Sequence, residues 1–327
     1  MKYIKWGIIC HEETSEVEKV RTFGEIEGSS IVAIMSNQEK HAEDMASRLN
    51  AGKWYSDAQE LIEDEEVNAI YIASSPSTHA TYSIMSMKAG KPVFVNSPLA
   101  ADYDDCIRIN RISTETGIPC YVAYYHRNLP CVQKVREIIA KGLIGDVVNV
   151  RLIYSCQQQN LPQTHGNNFL LSAPHAAGHY DYFYKLASHQ LDLLQHVFGI
   201  IIEANGIISD NIALTEQNMS VNACYKFENG LTGNASWCLS GHSLTPEDEI
   251  MVIGNKGQLT FPVFRNVPIE LVTSEGTVSF PTDNPSDMRL PLIKNVIEDL
   301  QGFNVCLSTS VSATPVNWVL DRILAKF

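Results

Sequence analysis

Over the first 123 residues, short apolar runs alternate with longer stretches of helical spacing. Residues 3–10, 30–35, 69–73, 92–95 and 120–123 are apolar nearly throughout. A strand buried on both faces of a parallel sheet has that texture, whereas a half-exposed strand alternates. Between these runs, 39–49, 78–89 and 104–116 carry the spacing of helices; in the first of them His41, Met45 and Leu49 share a face. Ser15-Glu16-Val17-Glu18 fits a capping box that opens a further helix. Gly90 and Gly117 stand where two of the helices should stop. Strands alternating with helices in this way imply right-handed βαβ crossovers and a doubly wound, Rossmann-like parallel sheet.

The texture changes near residue 124. A helix at 132–141 is followed by runs with strand alternation at 146–157, 219–227, 231–239, 249–254 and 269–280. Asn229-Gly230 between two of them is a hairpin signal, because that dipeptide tolerates positive φ at both turn positions. Helices at 188–198, 291–300 and 313–325 would cover one face of an open, mostly antiparallel sheet. The expected organisation is therefore a dinucleotide-binding domain over 1–123 and an α+β domain over 124–327. The last helix is expected to pack back toward the first domain.

Composition narrows the function. A net charge of −13, with no compensating Lys/Arg cluster, argues against nucleic acid or an anionic membrane surface as partner. No apolar run approaches the roughly 18 residues that a membrane span needs. The N-terminal run reads as a first strand and not a signal peptide, which places the chain in the cytoplasm. The eight cysteines are scattered without a C-x-x-C pair, so zinc and redox motifs are disfavoured and most thiols should be small buried groups. The glycosylation triplets at Asn218 and Asn234 carry no weight in such a chain.

Several separated segments carry a resemblance. They are Trp6-Gly7-Ile8-Ile9, the stretch from Ile72 through Ser74, Pro76 and His79, Ala89-Gly90-Lys91-Pro92-Val93, Val122-Ala123-Tyr124-Tyr125, Leu186 through His189 to Asp192, and Cys306-Leu307-Ser308-Thr309. In content and order the chain resembles the glucose–fructose oxidoreductase / inositol dehydrogenase / MocA (Gfo/Idh/MocA) family, and within it the dihydrodiol and xylose dehydrogenases. The resemblance implies hydride transfer between NAD or NADP and a sugar, polyol or diol. It also implies a homo-oligomer formed through the open face of the second sheet, and it puts the cofactor against Cys10, His11, Glu12, Ser36, Asn37, Ser74, Pro76, His79, Asn96 and Pro98.

Four departures fall on the working positions. Where the family has a glycine-rich turn that lets a diphosphate touch backbone N–H groups, this chain has Cys10-His11-Glu12-Glu13. At about 6 Å and an effective dielectric near 20, each carboxylate–phosphate pair would cost on the order of 3 kcal/mol before screening. Where the family has Glu-Lys-Pro, with its lysine beside nicotinamide and substrate, this chain has Asn96-Ser97-Pro98. A serine hydroxyl carries no charge and needs a base to take part in proton transfer. In the family's G-G-x-x-x-D-x-x-x-H pattern the glycine stretch falls within His179-Tyr180-Asp181, the aspartate at Lys185, and the histidine is kept as His189. Lys185 then either replaces the missing lysine from the opposite wall or pairs with a carboxylate such as Asp181 or Glu12. Last, Ser36-Asn37 stand where an acid would bind the ribose hydroxyls of NAD.

Other constellations are weaker. His165, His175, His179 and His189 could supply three metal ligands, but such sets are more often solvent-facing or satisfied in the core, and no metal site is assigned. Arg127 matches a family position lining the substrate cleft and would serve equally as a salt-bridge anchor. The aromatic run Tyr180-Tyr182-Phe183-Tyr184 would stack on a sugar or fill a core. Together the departures weigh against the usual hydride transfer on an otherwise intact scaffold. The candidate catalytic residues are Lys185, His189, Ser97 and Arg127. The alternative is a non-catalytic family member that binds a sugar-like ligand or supports a partner.

Overall fold

The computed structural model describes residues 3–10, 15–156, 181–209, 219–239 and 247–326, with the backbone alone at 15–19 and 181–182. In chain order the first elements are β1 (Ile4–Cys10), α1 (Ser15–Glu25), β2 (Ser29–Met35), α2 (Glu39–Leu49), β3 (Lys53–Tyr55), α3 (Ala58–Glu63), β4 (Ala69–Ala73), α4 (Pro76–Lys88), β5 (Val93–Val95), α5 (Tyr103–Thr116) and β6 (Cys120–Val122). Their strands form a parallel six-stranded sheet in the order β3-β2-β1-β4-β5-β6. Reversal of direction across the sheet falls between β1 and β4, which are paired from Trp6↔Ala69 to Cys10↔Ala73.

The apolar runs explain the sheet directly. β4 and β5 are buried at every position, as strands covered on both faces must be. Trp6, Phe23, Tyr71 and Phe94 form one aromatic cluster with ring centroids 4.7–5.9 Å apart. The indole of Trp6 donates to Ser29 Oγ at 3.0 Å, so this large buried side chain leaves no orphan donor. Gly7 admits α3 and its approach: a Cβ there would lie 2.7 Å from Leu61 Cδ2 and 2.9 Å from Val67 Cγ1. The short β3 and α3 are absent from the sequence reading because three strand residues and six helical ones are too few to establish a period.

A 3₁₀ turn at Tyr125–Asn128 leads to α6 (Pro130–Ala140) and β7 (Val147–Ser155). There follow α7 (Asp181–Phe198), β8 (Ile201–Ile208), β9 (Ser220–Phe227), β10 (Thr232–Cys238), β11 (Glu247–Gly254), β12 (Gly257–Phe261), β13 (Ile269–Thr273), β14 (Gly276–Phe280), α8 (Leu290–Leu300) and α9 (Ser310–Ile323). The second sheet has eight strands in the order β14-β13-β12-β11-β7-β10-β9-β8. It is antiparallel except where β7 and β10 run together. The run at 269–280, read as one strand, is a hairpin: Thr273 pairs with Gly276 across a two-residue turn. Period-two alternation continues through so tight a turn, which hides it. The Asn229-Gly230 turn also forms, but only Gly230 takes a positive φ, 87°. Phe227 N donates to Leu231 O and Gly230 N to Phe227 O, so the connection is a three-residue loop with a left-handed glycine and not the two-residue turn expected.

By compactness the chain divides into two units. The first takes in the chain to Tyr125, the start of α7 as far as His189, and Arg289–Asn317. The second takes in His126 through β7, Gln190–Met288 and Trp318 onward. In the first unit, the residues after α8 run beside the edge strand β6: Val122 N donates to Ser308 O at 2.8 Å and Ser308 Oγ donates to Val122 O at 2.7 Å. In the second, a bulge at Ile253/Gly254 lets the β11–β12 turn close on Ile144. A Cβ on Gly254 would lie 2.0 Å from the backbone oxygen of Ile144. Gly254→Ala is therefore expected to lower unfolding free energy by about 1–3 kcal/mol through enforced backbone displacement. Urea titration followed by circular dichroism checks this; an unchanged midpoint would contradict it.

Candidate functional site

Two polar turns leave the sheet side by side, Ser74-Ser75-Pro76 after β4 and Asn96-Ser97-Pro98 after β5. In an open sheet of this order, ligands bind beyond the carboxyl ends of the strands, beside the reversal. Pro76 opens α4 at a position whose missing N–H costs nothing. Thr78 Oγ1 lies 2.7 Å from Ser74 Oγ and 2.8 Å from the Ser75 carbonyl, which tightens the first turn.

His79, one turn into α4, joins the two polar turns. Its Nδ1 lies 2.9 Å from the Pro98 carbonyl oxygen and its Nε2 2.9 Å from that of Ser74. The ring is fully buried. Burial pushes its pKa down to about 4; the two carbonyls oppose that shift and the charge of Lys185 adds to it. At neutral pH the ring is uncharged, so one nitrogen donates and the other faces a carbonyl oxygen. A position assigned by resemblance to the cofactor pocket thus acts here as an internal tie between turns.

Ser97 precedes a cis peptide bond to Pro98. Its amide donates to Asn96 Oδ1 at 3.1 Å. Its hydroxyl lies 2.8 Å from His189 Nε2, and the two residues are 2% and 1% exposed. Tyr124 meets the His189 ring edge-on at a centroid distance of 5.7 Å, and Tyr125 lies at 5.1 Å. Burial holds the His189 pKa down to about 3. The neutral ring can exchange a hydrogen bond with a hydroxyl, yet its basicity is far from that of an efficient general base at neutral pH. Lys185 lies one turn before His189 on α7, is half-buried, and is close enough for its charge to act on His79. The carboxylates the sequence offers it, Glu12 and the side chain of Asp181, lie outside the described residues.

The remaining positions turn inward. Cys10, at the end of β1, is fully buried, with Sγ 3.4 Å from both the Met35 carbonyl oxygen and Met45 Sδ. The Ser36 hydroxyl lies 3.1 Å from His41 Nδ1, and the chain after it is exposed from Asn37 through Gln38 and Glu39 to Lys40. Neither Ser36 nor Asn37 carries a carboxylate for a ribose diol, and the first acid after β2 is Glu39, which opens α2. His11, Glu12 and Glu13, together with His165, His175, His179, Tyr180 and Asn218, lie outside the described residues. Among the described residues no group of three or more His, Cys, Asp or Glu side chains could hold a metal ion, and no helix is long and apolar enough to cross a membrane.

In the second unit, Arg127 forks onto Asp192 of α7. Arg127 Nε lies 3.1 and 2.9 Å from the two carboxylate oxygens, and Nη2 makes a further bond to Oδ1. The two side chains are 7% and 1% exposed. Burial pushes the Asp192 carboxyl up, and the guanidinium draws it back. Arg127 is thus spent on a buried ion pair. Asp192 closes one of the family-like segments of the sequence, but nothing there pairs it with Arg127. His41 and Asn317 were also missed, and nothing in their local sequence marks them.

Residues 9–124 match the model of an oxidoreductase family with an NAD-binding Rossmann fold, and residues 132–260 match the Gfo/Idh/MocA C-terminal domain. The chain belongs to the Gfo/Idh/MocA family. Among its relatives, Oxidoreductase P35 of Formosa agariphila is 26% identical over 327 residues, covering 97% of each chain. The scyllo-inositol 2-dehydrogenase (NAD(+)) of Bacillus subtilis is 24% identical, over 91% of this chain and 84% of its own. An oxidoreductase from Agrobacterium radiobacter, solved with NAD+, L-tartaric acid and magnesium, superposes with a TM-score of 0.84 at 15% identity, over 99% of this chain and 97% of that one. This last likeness shows a shared fold.

Proposed function

We propose that this chain keeps the Gfo/Idh/MocA fold without the family's lysine-assisted hydride transfer, and that it binds a polyhydroxylated, sugar-like ligand or supports a partner. The Ser97–His189 hydrogen bond carries the reading. The position of the family lysine holds a neutral hydroxyl, buried and bonded to a histidine whose basicity burial has lowered. The inward turn of Cys10 and Ser36 supports it, as does the acidic Cys10-His11-Glu12-Glu13 stretch in place of glycines. The ligand class follows from the inositol named for one relative and the tartaric acid bound by another. Under the same proposal the chain works in the cytoplasm and associates with itself through the second sheet, whose exposed Ile207 and Val272 are apolar contacts for a second copy.

Calorimetric titration with NADH and NADPH, at low and at physiological salt, tests the reading. The wild-type chain is expected not to bind at millimolar cofactor, and Glu12→Gly with Glu13→Ala to bring affinity into the measurable range. Micromolar binding by the wild type, with turnover of a sugar or diol, would overturn it. A second reading has one observation in its favour: Lys185 and His189 lie one turn apart on α7, so that a lysine from the opposite wall replaces the missing one. Turnover lost in Lys185→Met would select it.

A further inference from the structure

The turn that carries Ser97 is held from three sides within the first unit. His189 takes the Ser97 hydroxyl, His79 lies on the Pro98 carbonyl, and Asn317 of α9 donates from Nδ2 to the Ala100 carbonyl at 2.8 Å. Leu99, Ala100 and Asn317 are fully buried. A separate bond ties α9 to α5: Asn110 Nδ2 donates to Thr314 Oγ1 at 2.7 Å, and Thr314 Oγ1 donates to the Ser310 carbonyl at 2.8 Å. Asn317 lies three residues beyond Thr314, on the neighbouring face of the same helix.

We propose that Asn317 is a positioning residue: from the last helix it fixes the Asn96–Ala100 turn and thereby the placement of Ser97 Oγ against His189 Nε2. The energetics point away from a purely structural role. Asn317 Oδ1 is buried and finds no donor among the described residues. One neutral hydrogen bond contributes roughly 1 kcal/mol net, and a buried unsatisfied acceptor costs about 1–3 kcal/mol. As a stabilising device the amide therefore returns little, and an apolar side chain of similar size would serve the helix as well. What an apolar side chain cannot do is hold the Ala100 carbonyl, two residues from the Pro98 carbonyl that His79 faces. With that carbonyl released, the Pro98–Ala100 end of the turn loses its tie to α9, and the Ser97 hydroxyl loses its fixed approach.

The ring nitrogens of His189 report the outcome, and they do so whether or not the protein binds a dinucleotide. In the full-length protein labelled with ¹⁵N-histidine, the His189 Nε2 resonance is assigned by its loss in His189→Gln, and its value without the serine is read in Ser97→Ala. Asn317→Leu is expected to move Nε2 most of the way to the Ser97→Ala value while thermal unfolding stays close to wild type. Thr314→Val, which removes the neighbouring bond without touching the turn, is expected to leave Nε2 in place. An unmoved Nε2 in Asn317→Leu overturns the proposal, whatever happens to stability. If Asn317→Leu is also destabilised, the Thr314→Val spectrum decides. An unmoved Nε2 there ties the shift to Asn317, and an equal shift there makes it a general consequence of loosening α9, which overturns the proposal.

Discussion

Acid is expected to unfold this protein steeply, by up to about 3 kcal/mol per pH unit between roughly pH 6.5 and pH 4, from two histidines alone. In the unfolded chain His79 and His189 take up protons near 6.5, the ordinary imidazole value. In the folded chain burial keeps them neutral to about 4 and about 3 respectively. Between these limits the unfolded state holds more protons, so stability is complete above pH 6.5 and falls as the pH drops. His79 ceases to contribute to the slope below about 4, and His189 below about 3. Denaturant titrations across the range measure the slope directly. The double variant His79→Asn/His189→Gln should be markedly flatter than wild type; an equal slope in both proteins would assign the acid sensitivity elsewhere.

Removing one member of the buried ion pair is the second large effect. Arg127→Met is expected to lower stability by about 3–5 kcal/mol, because Asp192 is then left charged, or forced to protonate, where water does not reach. The pair itself is no guarantee of net stability, since two desolvated ions recover their cost only through geometry. Here a guanidinium fork on both carboxylate oxygens supplies that geometry. Arg127→Met combined with Asp192→Leu should therefore recover much of the loss. Thermal unfolding of the three proteins gives the comparison. If the single variant melts with the wild type, the pair is energetically idle, and Arg127 is available for the substrate role that family resemblance gives it.

Much of the fold was legible in one chain. Apolar runs of strand length separated by helical spacing indicated the parallel sheet, and the loss of that rhythm after residue 124 indicated the second one. For the candidate site the sequence offered residue types set against the pattern that the family resemblance implies: Ser97 against a lysine, Lys185 against an aspartate, Ser36-Asn37 against an acid. These are statements about what chemistry is missing, and they need no coordinates.

What the sequence by itself determined is thus the two kinds of sheet and their order along the chain, without the short β3, α3 and β12 or the strand β8. Hydrophobic periodicity and turn residues are local signals, set by neighbours within a few residues. The tertiary structure alone decided which polar groups spend themselves on one another. Ser97 meets His189 across 92 positions, Arg127 meets Asp192 across 65, and Asn317 meets Ala100 across 217. No local pattern encodes these pairings, because each arises only when packing removes water and leaves a buried polar atom to find a partner. The same physics turned Cys10 and Ser36 inward and made His79 a tie between two turns.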